Sequence, residues 1–174
     1  MSEDLRYPIG RPVTKELTEA ERAEAIDKIA ETPARLREAV AGLTPEQLDT
    51  PYRPEGWTVR QLAHHVPDSH MNAYVRIKLA LTEDAPPVKT YEEALWAELP
   101  DTRNTPVEVS LTLLDAIHQR LVNLLRALGP EDFRRPLSHP DHGRITIDHL
   151  LCIYSWHGPH HVAHVTKLRE RMGW

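Results

Sequence analysis

Residues 105–128, TPVEVSLTLLDAIHQRLVNLLRAL, carry the pattern that most restricts the fold. Thr105 offers an N-cap oxygen, Pro106 sits in the first turn where its missing N–H costs nothing, and Glu108 is placed to close a capping box. Beyond them the apolar residues fall at Val107, Leu111, Leu114, Ile117, Leu121, Leu124, Leu125 and Leu128, in steps of mostly three and four. That period lays one apolar stripe along an α-helix and does not fit the alternation of a strand. A helix of this length with one apolar face has to bury it against other helices, and Gly129-Pro130 marks its end.

Three further segments repeat the pattern. Thr18-x-x-Glu21 is a capping box that opens ERAEAIDKIAETPARLREAVAGL, with Gly42 as a stop. Pro33 lies inside it and either kinks one helix or starts a second with Thr32 as N-cap. Thr58-x-x-Gln61 opens a helix with Leu62, Val66, Tyr74, Ile77 and Leu81 on its apolar side, bent where Pro67 removes the bond to the carbonyl of Ala63. The last helix is expected from near Thr146 to about Met172, with Ile147, Leu150, Leu151, Ile153 and Tyr154 in its apolar set. TPEQLDTPYRPEG reads as turns, and TEDAPPVKTYEEALWAELPDTRN as a loop with one short helix around Tyr91 to Leu99. No alternating stretch is long enough to demand a strand. The expectation is an all-α four-helix bundle in one domain spanning residues 1–174.

Charge and cysteine usage narrow the function. Twenty-one basic residues against 26 acidic ones give a net charge of −5, which argues against a nucleic-acid partner. The one cysteine, Cys152 in LLCIY, reads as a small buried hydrophobe, and no Cys-based metal motif exists. The N-terminal MSEDLRYPIG has no apolar signal core and no run reaches membrane-spanning length, so a cytoplasmic protein with no membrane partner is expected.

The chemistry-bearing residues are histidines. WHGPHHVAHV, Trp156 to Val165, holds four of them in eight positions. Residues four apart share a helix face, so His157/His161 and His160/His164 are each spaced to chelate one divalent ion, and spacing alone does not choose between the pairs. A third ligand can come from AHHVPDSH on the second long helix, where His64 and His65 lie on different faces and His65 lies toward the apolar side. Three neutral imidazoles leave the charge of an ion intact and a position open, the pattern of catalytic rather than structural sites. His70, His118, His139, His142 and His149 read as ordinary histidines, solvated or locally hydrogen-bonded. Gly158 and Pro159 bend the last helix beside the cluster, and Trp57, Trp96 and Trp156 are core residues or pocket walls.

GWTVRQLAHHVPDSHMNAY, YEEALWAEL, PVEVSLTLLDAIH and YSWHGPHHVAHVTKLRERMGW, together with RYPIGRP near the start, resemble the YfiT branch of the DinB-like superfamily over nearly the whole chain. The resemblance implies an up-down-down-up bundle, often a homodimer, that binds one divalent metal ion per chain, with zinc or nickel expected first. It implies His65, followed by Val66, as the ligand from the second helix and His157 and His161 as the pair from the last. It places His164 where the wider superfamily often has glutamine, and Pro67 where an alanine is more usual. Asp68, His160 and His164 are candidates to hold the ligands' second ring nitrogens. The implied activity is metal-dependent hydrolysis of a small molecule, with water as the nucleophile. The alternative is transfer of a low-molecular-weight thiol resembling bacillithiol, which the same site can activate. A non-catalytic bundle, its metal closed off by a fourth protein ligand, is the competing class.

Overall fold

The computed structural model describes residues 4–174. Its long helices are α1 (Glu19–Val40), α3 (Val59–Thr82), α6 (Val107–Arg126) and α8 (Ile147–Met172). Between them lie α2 (Pro45–Leu48), α4 (Glu93–Trp96), α5 (Pro100–Asn104), α7 (Pro130–Phe133) and the strands β1 (Pro136–His139) and β2 (Gly143–Thr146). The capping boxes at Thr18/Glu21 and Thr58/Gln61 form as the sequence predicts, and Thr44/Gln47 closes another on α2.

Three expectations need correction. Thr105 does not cap α6: it ends α5, donating its N–H to the Asp101 carbonyl at 2.9 Å, and Pro106 takes the cap position with no side-chain bond. The loop after α3 carries two short helices instead of one, because Pro100 starts a new turn behind Leu99. A hairpin is also present, with Leu137 opposite Ile145 and both buried. Its four-residue strands are too short to announce themselves by alternation. Pro33 resolves as a residue inside one continuous α1, and the Thr32 hydroxyl donates back to the Lys28 carbonyl at 2.9 Å.

Contacts between helices set their directions. Arg22 grips Asp148 near the starts of α1 and α8, and Arg169 reaches the carbonyls of Ala39 and Ala41 near their ends, so these two helices run parallel. His64 meets Ser110 and His70 meets His118, so α3 and α6 are parallel as well. Arg37 pairs with Glu108 and Asp115 while Arg126 pairs with Asp27, which runs α6 against α1. His65 faces His157 and His161, and five residues on His70 faces Tyr154 and His157, which runs α3 against α8. The bundle is therefore up-down-down-up. No helix among the described residues is long and apolar enough to cross a membrane.

The core divides into two apolar clusters. One gathers around Ile29, Leu121, Leu125, Ile147 and Leu151, the other around Leu36, Val59, Leu62, Leu114 and Val165. The residues between them along the four helices include Thr32, His70, His118, His157 and His161, so a polar layer crosses the middle of the bundle. Gly158 lets α8 approach α1 within this layer. A Cβ there would overlap the Thr32 hydroxyl and lie 2.5 Å from its Cγ2 and 3.0 Å from its Cβ. We expect Gly158→Ala to destabilise the fold by roughly 1–3 kcal/mol through overpacking. The additional change Thr32→Ala should recover part of that loss in urea denaturation; equal stability of wild type and Gly158→Ala would contradict the close approach.

Candidate metal centre

The four-residue repeat of α8 sets His157 and His161 on one face, and the antiparallel crossing of α3 brings His65 against them. Nε2 of His157 lies 3.3 Å from Nε2 of His65 and 3.2 Å from Nε2 of His161. The three candidate ligand atoms all fall within 4.8 Å of one another. Two nitrogens each about 2.0–2.1 Å from a tetrahedral zinc-sized ion are themselves about 3.3–3.4 Å apart, so the spacing fits a first-row divalent ion with no rearrangement of this pair of contacts. Hydrogen bonding does not account for the arrangement as well. Three converging Nε2 atoms of neutral imidazoles cannot all be satisfied by one another, whereas a cation satisfies every lone pair at once.

The other nitrogen of His157 has its own partner. Nδ1 lies 3.1 Å from Nε2 of His70, whose Nδ1 lies 2.8 Å from Nε2 of His118, whose Nδ1 lies 2.7 Å from the Ile29 carbonyl. His70 and His118 are 0% and 2% exposed. This corrects the reading of both as ordinary: they are core residues in a hydrogen-bonded series ending at a candidate ligand. A signal was present in the sequence. His118 follows Leu114 by four and precedes Leu121 by three, and His70 stands in the same relation to Val66 and Ala73, so both fall on apolar stripes.

A cavity of about 570 Å³ adjoins His157 on the hairpin side. Arg76, Tyr91, Glu93, His139, His149 and Tyr154 are among the residues that line it.

Comparison with known proteins agrees with this architecture. The profile of the DinB superfamily matches residues 28–165. The chain belongs to the DinB superfamily. A Bacillus cereus protein named "Putative metal-dependent hydrolase" is 51% identical over 176 residues, covering 98% of this chain and 99% of the relative. The solved structure of YfiT from Bacillus subtilis, described as a probable metal-dependent hydrolase with an unusual four-helix bundle topology, superposes with a TM-score of 0.95 at 46% identity, covering 98% of this chain and 99% of that one. The four-helix bundle protein TT2238 shares the fold at 18% identity, with a TM-score of 0.57 over 81% of this chain and 94% of its own.

Within this DinB-superfamily bundle the remaining candidates are placed elsewhere. His64 points to the Ser110 hydroxyl, 2.7 Å from Nδ1. His164 packs on Tyr52 with ring centroids 4.0 Å apart and sets Nε2 3.2 Å from the Arg6 carbonyl. His160 stacks on Trp156 at 4.1 Å. None of His160, His164 and Asp68 hydrogen-bonds to His65, His157 or His161 among the described residues; the imidazole that does so from outside the trio is His70. Trp57 tilts against His65 at 4.6 Å, Trp96 against Tyr91 at 4.4 Å, and Trp156 also donates to the Gly10 carbonyl at 3.0 Å. Cys152 is buried, as expected of a small hydrophobe.

Burial governs the protonation of this layer. It pushes His65 down to about 4 and His118 to about 4, and it holds His70, His157 and His161 well below the ordinary imidazole value, with neighbouring imidazoles adding to the effect on those three. The rings are therefore neutral near pH 7, the form that binds a metal. The linkage has a definite sign. His118 and His164 titrate at about 4 in the fold and near 6.5 when unfolded, so their contribution is complete above 6.5 and is lost as pH falls toward 4, where only the unfolded chain takes up protons. Asp68, raised by burial to about 6, and Glu93, raised by burial as well, work in the opposite direction, two carboxyls against a larger set of imidazoles. The metal-free protein should thus lose Tm steadily from pH 6.5 to 4.5 in a fluorimetric melt. A flat or rising Tm over that interval would show that these rings are not held neutral.

Proposed function

We propose that His65, His157 and His161 hold one divalent metal ion, and that the protein is a metal-dependent hydrolase acting on a small molecule admitted through the cavity beside His157. One observation carries the catalytic reading over a structural metal. The converging set is three imidazoles, and His64 and His164, the histidines whose entry as a fourth ligand would mark a closed structural site, contact Ser110 and the Arg6 carbonyl instead. A bound ion supplies Lewis acidity that brings the pKa of a water nucleophile toward neutrality. The names of the relatives point to the same chemistry.

The chain's own part is to orient the ligands and to receive the substrate. Arg76 is 8% exposed and donates to the Lys89 carbonyl at 2.7 Å, and no carboxylate lies within ion-pair distance of it among the described residues. A guanidinium this buried, with no carboxylate in direct contact and Glu93 acting on it only through its charge, suits a substrate bearing a carboxylate or phosphate group. The Tyr91 hydroxyl is buried near Ser69 and is kept protonated by burial, which leaves it able to donate to the same molecule.

The test is elemental analysis of untagged protein beside a His157→Ala, His161→Ala double variant, followed by hydrolysis assays on anionic esters and amides, with and without a low-molecular-weight thiol. We expect about one ion per wild-type chain, its loss in a folded double variant, and loss of turnover with it. Turnover that needs the thiol would move the reading from hydrolysis to thiol transfer. Activity that survives removal of the metal would end the proposal.

A further inference from the structure

Pro33 has no N–H to offer the carbonyl four residues earlier, that of Ile29, although α1 runs unbroken through both. A carbonyl in mid-helix is ordinarily committed to its own helix. This one is met from another helix by His118. We propose that the Ile29 carbonyl, freed by Pro33, fixes the tautomers of three imidazoles in series and so presents the Nε2 lone pair of His157 toward the Nε2 atoms of His65 and His161. His118 and His70 are then positioning residues for the metal centre. The inference about metal affinity rests on His157 being a ligand; the inference about tautomers does not.

The logic follows from donors and acceptors. A carbonyl oxygen only accepts, so Nδ1 of His118 carries the proton across the 2.7 Å contact. In a neutral ring Nε2 of His118 is then a lone pair, and it accepts from Nδ1 of His70 at 2.8 Å. Nε2 of His70 is in turn a lone pair and accepts from Nδ1 of His157 at 3.1 Å. This leaves one tautomer for His157, with its lone pair on Nε2, the atom that faces His65 at 3.3 Å and His161 at 3.2 Å. A reversed series would set the bare Nδ1 lone pair of His118 against the lone pairs of the Ile29 oxygen, leaving both without a donor in a region closed to water. The series ends on a neutral dipole rather than a carboxylate. It therefore orients His157 without placing a negative charge behind it, and leaves the charge of a bound ion undiminished.

The experiment uses the metal-free full chain labelled with 15N-histidine, and zinc as the probe ion. Two-bond proton–nitrogen correlations distinguish the two tautomers of each ring. Wild type is expected to show His118, His70 and His157 all protonated on Nδ1. His118→Phe should give mixed tautomers at His157 and bind zinc roughly 10–100-fold more weakly in a chelator competition, the scale on which a ligand's hydrogen-bonding partner acts. His118→Gln keeps a donor and an acceptor on one amide and should recover most of that loss. Pro33→Ala returns an N–H to the Ile29 carbonyl, and should shift the His118 Nδ1–H resonance and weaken zinc binding less than His118→Phe does. His157 protonated on Nε2 in wild type would overturn the proposal, and so would His118→Phe binding zinc as wild type does. An unmoved His118 resonance in Pro33→Ala would overturn the part given to the proline. Wild type with the expected tautomers but no affinity for zinc would leave the series standing and remove the metal reading instead.

Discussion

An imidazole taken out of water has two ring nitrogens to satisfy, and seven of the chain's eleven histidines are buried. That requirement organises the centre of the bundle. Apolar packing above and below needs only volume and shape, and Leu, Ile and Val supply it on either side. The layer between needs direction: a donor has to meet an acceptor within about 3 Å, so helices that could otherwise slide or rotate are held in register. His118 ties α6 to α1 through Ile29 and to α3 through His70, and His70 ties α3 to α8 through His157. The close approach of α8 to α1 at Gly158 and Thr32 completes the layer from the other side.

The direction of the helices explains where the cavity comes from. Parallel neighbours cannot be joined by a short turn, so the chain leaving α3 has to travel back along the bundle before α6 can start. That return holds α4 and α5 and brings Tyr91 and Glu93 to the cavity wall. The hairpin that follows α7 supplies His139 and Ile145 to the same wall, and backbone bonds from Val88 to Ser138 and from Ser138 to Pro86 lace the two connections together. An up-down-down-up order thus needs one long connection, between the parallel α3 and α6, and that return together with the hairpin builds the chamber beside His157. The parallel pairing of α1 with α8 is secured at its start by the buried Arg22–Asp148 pair, with contacts of 2.8 and 2.6 Å. Losing one partner of such a pair would leave the other charge stranded in the core.

Much of this was readable from residue spacing, and the exceptions have physical causes. The capping boxes at Thr18 and Thr58 are local chemistry and appear as expected. The convergence of His65 with His157 and His161 follows from apolar-side placement and a four-residue repeat, but choosing that pair over His160/His164 required family resemblance. Both pairs point inward on the wheel, and only the tertiary surroundings send His164 to Tyr52 and the Arg6 carbonyl. Thr105 carried every mark of an N-cap and was claimed by the preceding helix, a competition between elements that a window along the chain does not see. His70 and His118 do not stand out in the sequence because an imidazole on an apolar stripe looks like an isolated polar residue. Each is satisfied by a residue at least 48 positions away, so no local pattern could name its partner.

Pro33 shows how a locally unfavourable residue fits such a scheme. A proline in a helix interior costs roughly 3 kcal/mol against alanine, and a neutral hydrogen bond returns only about 1 kcal/mol. The bond from His118 does not offset that cost on its own. What the proline provides is an acceptor in a place where backbone acceptors are otherwise spent, at the centre of a packed helix and beyond the reach of water. A side-chain acceptor there would bring either a charge, as Asp or Glu would, or an amide or hydroxyl that can also donate and so leaves the direction of the series open. A bare carbonyl does neither: it accepts, it is neutral, and the backbone fixes its position. The stability given up in α1 is thereby exchanged for a single protonation pattern at His157, where the three imidazoles meet.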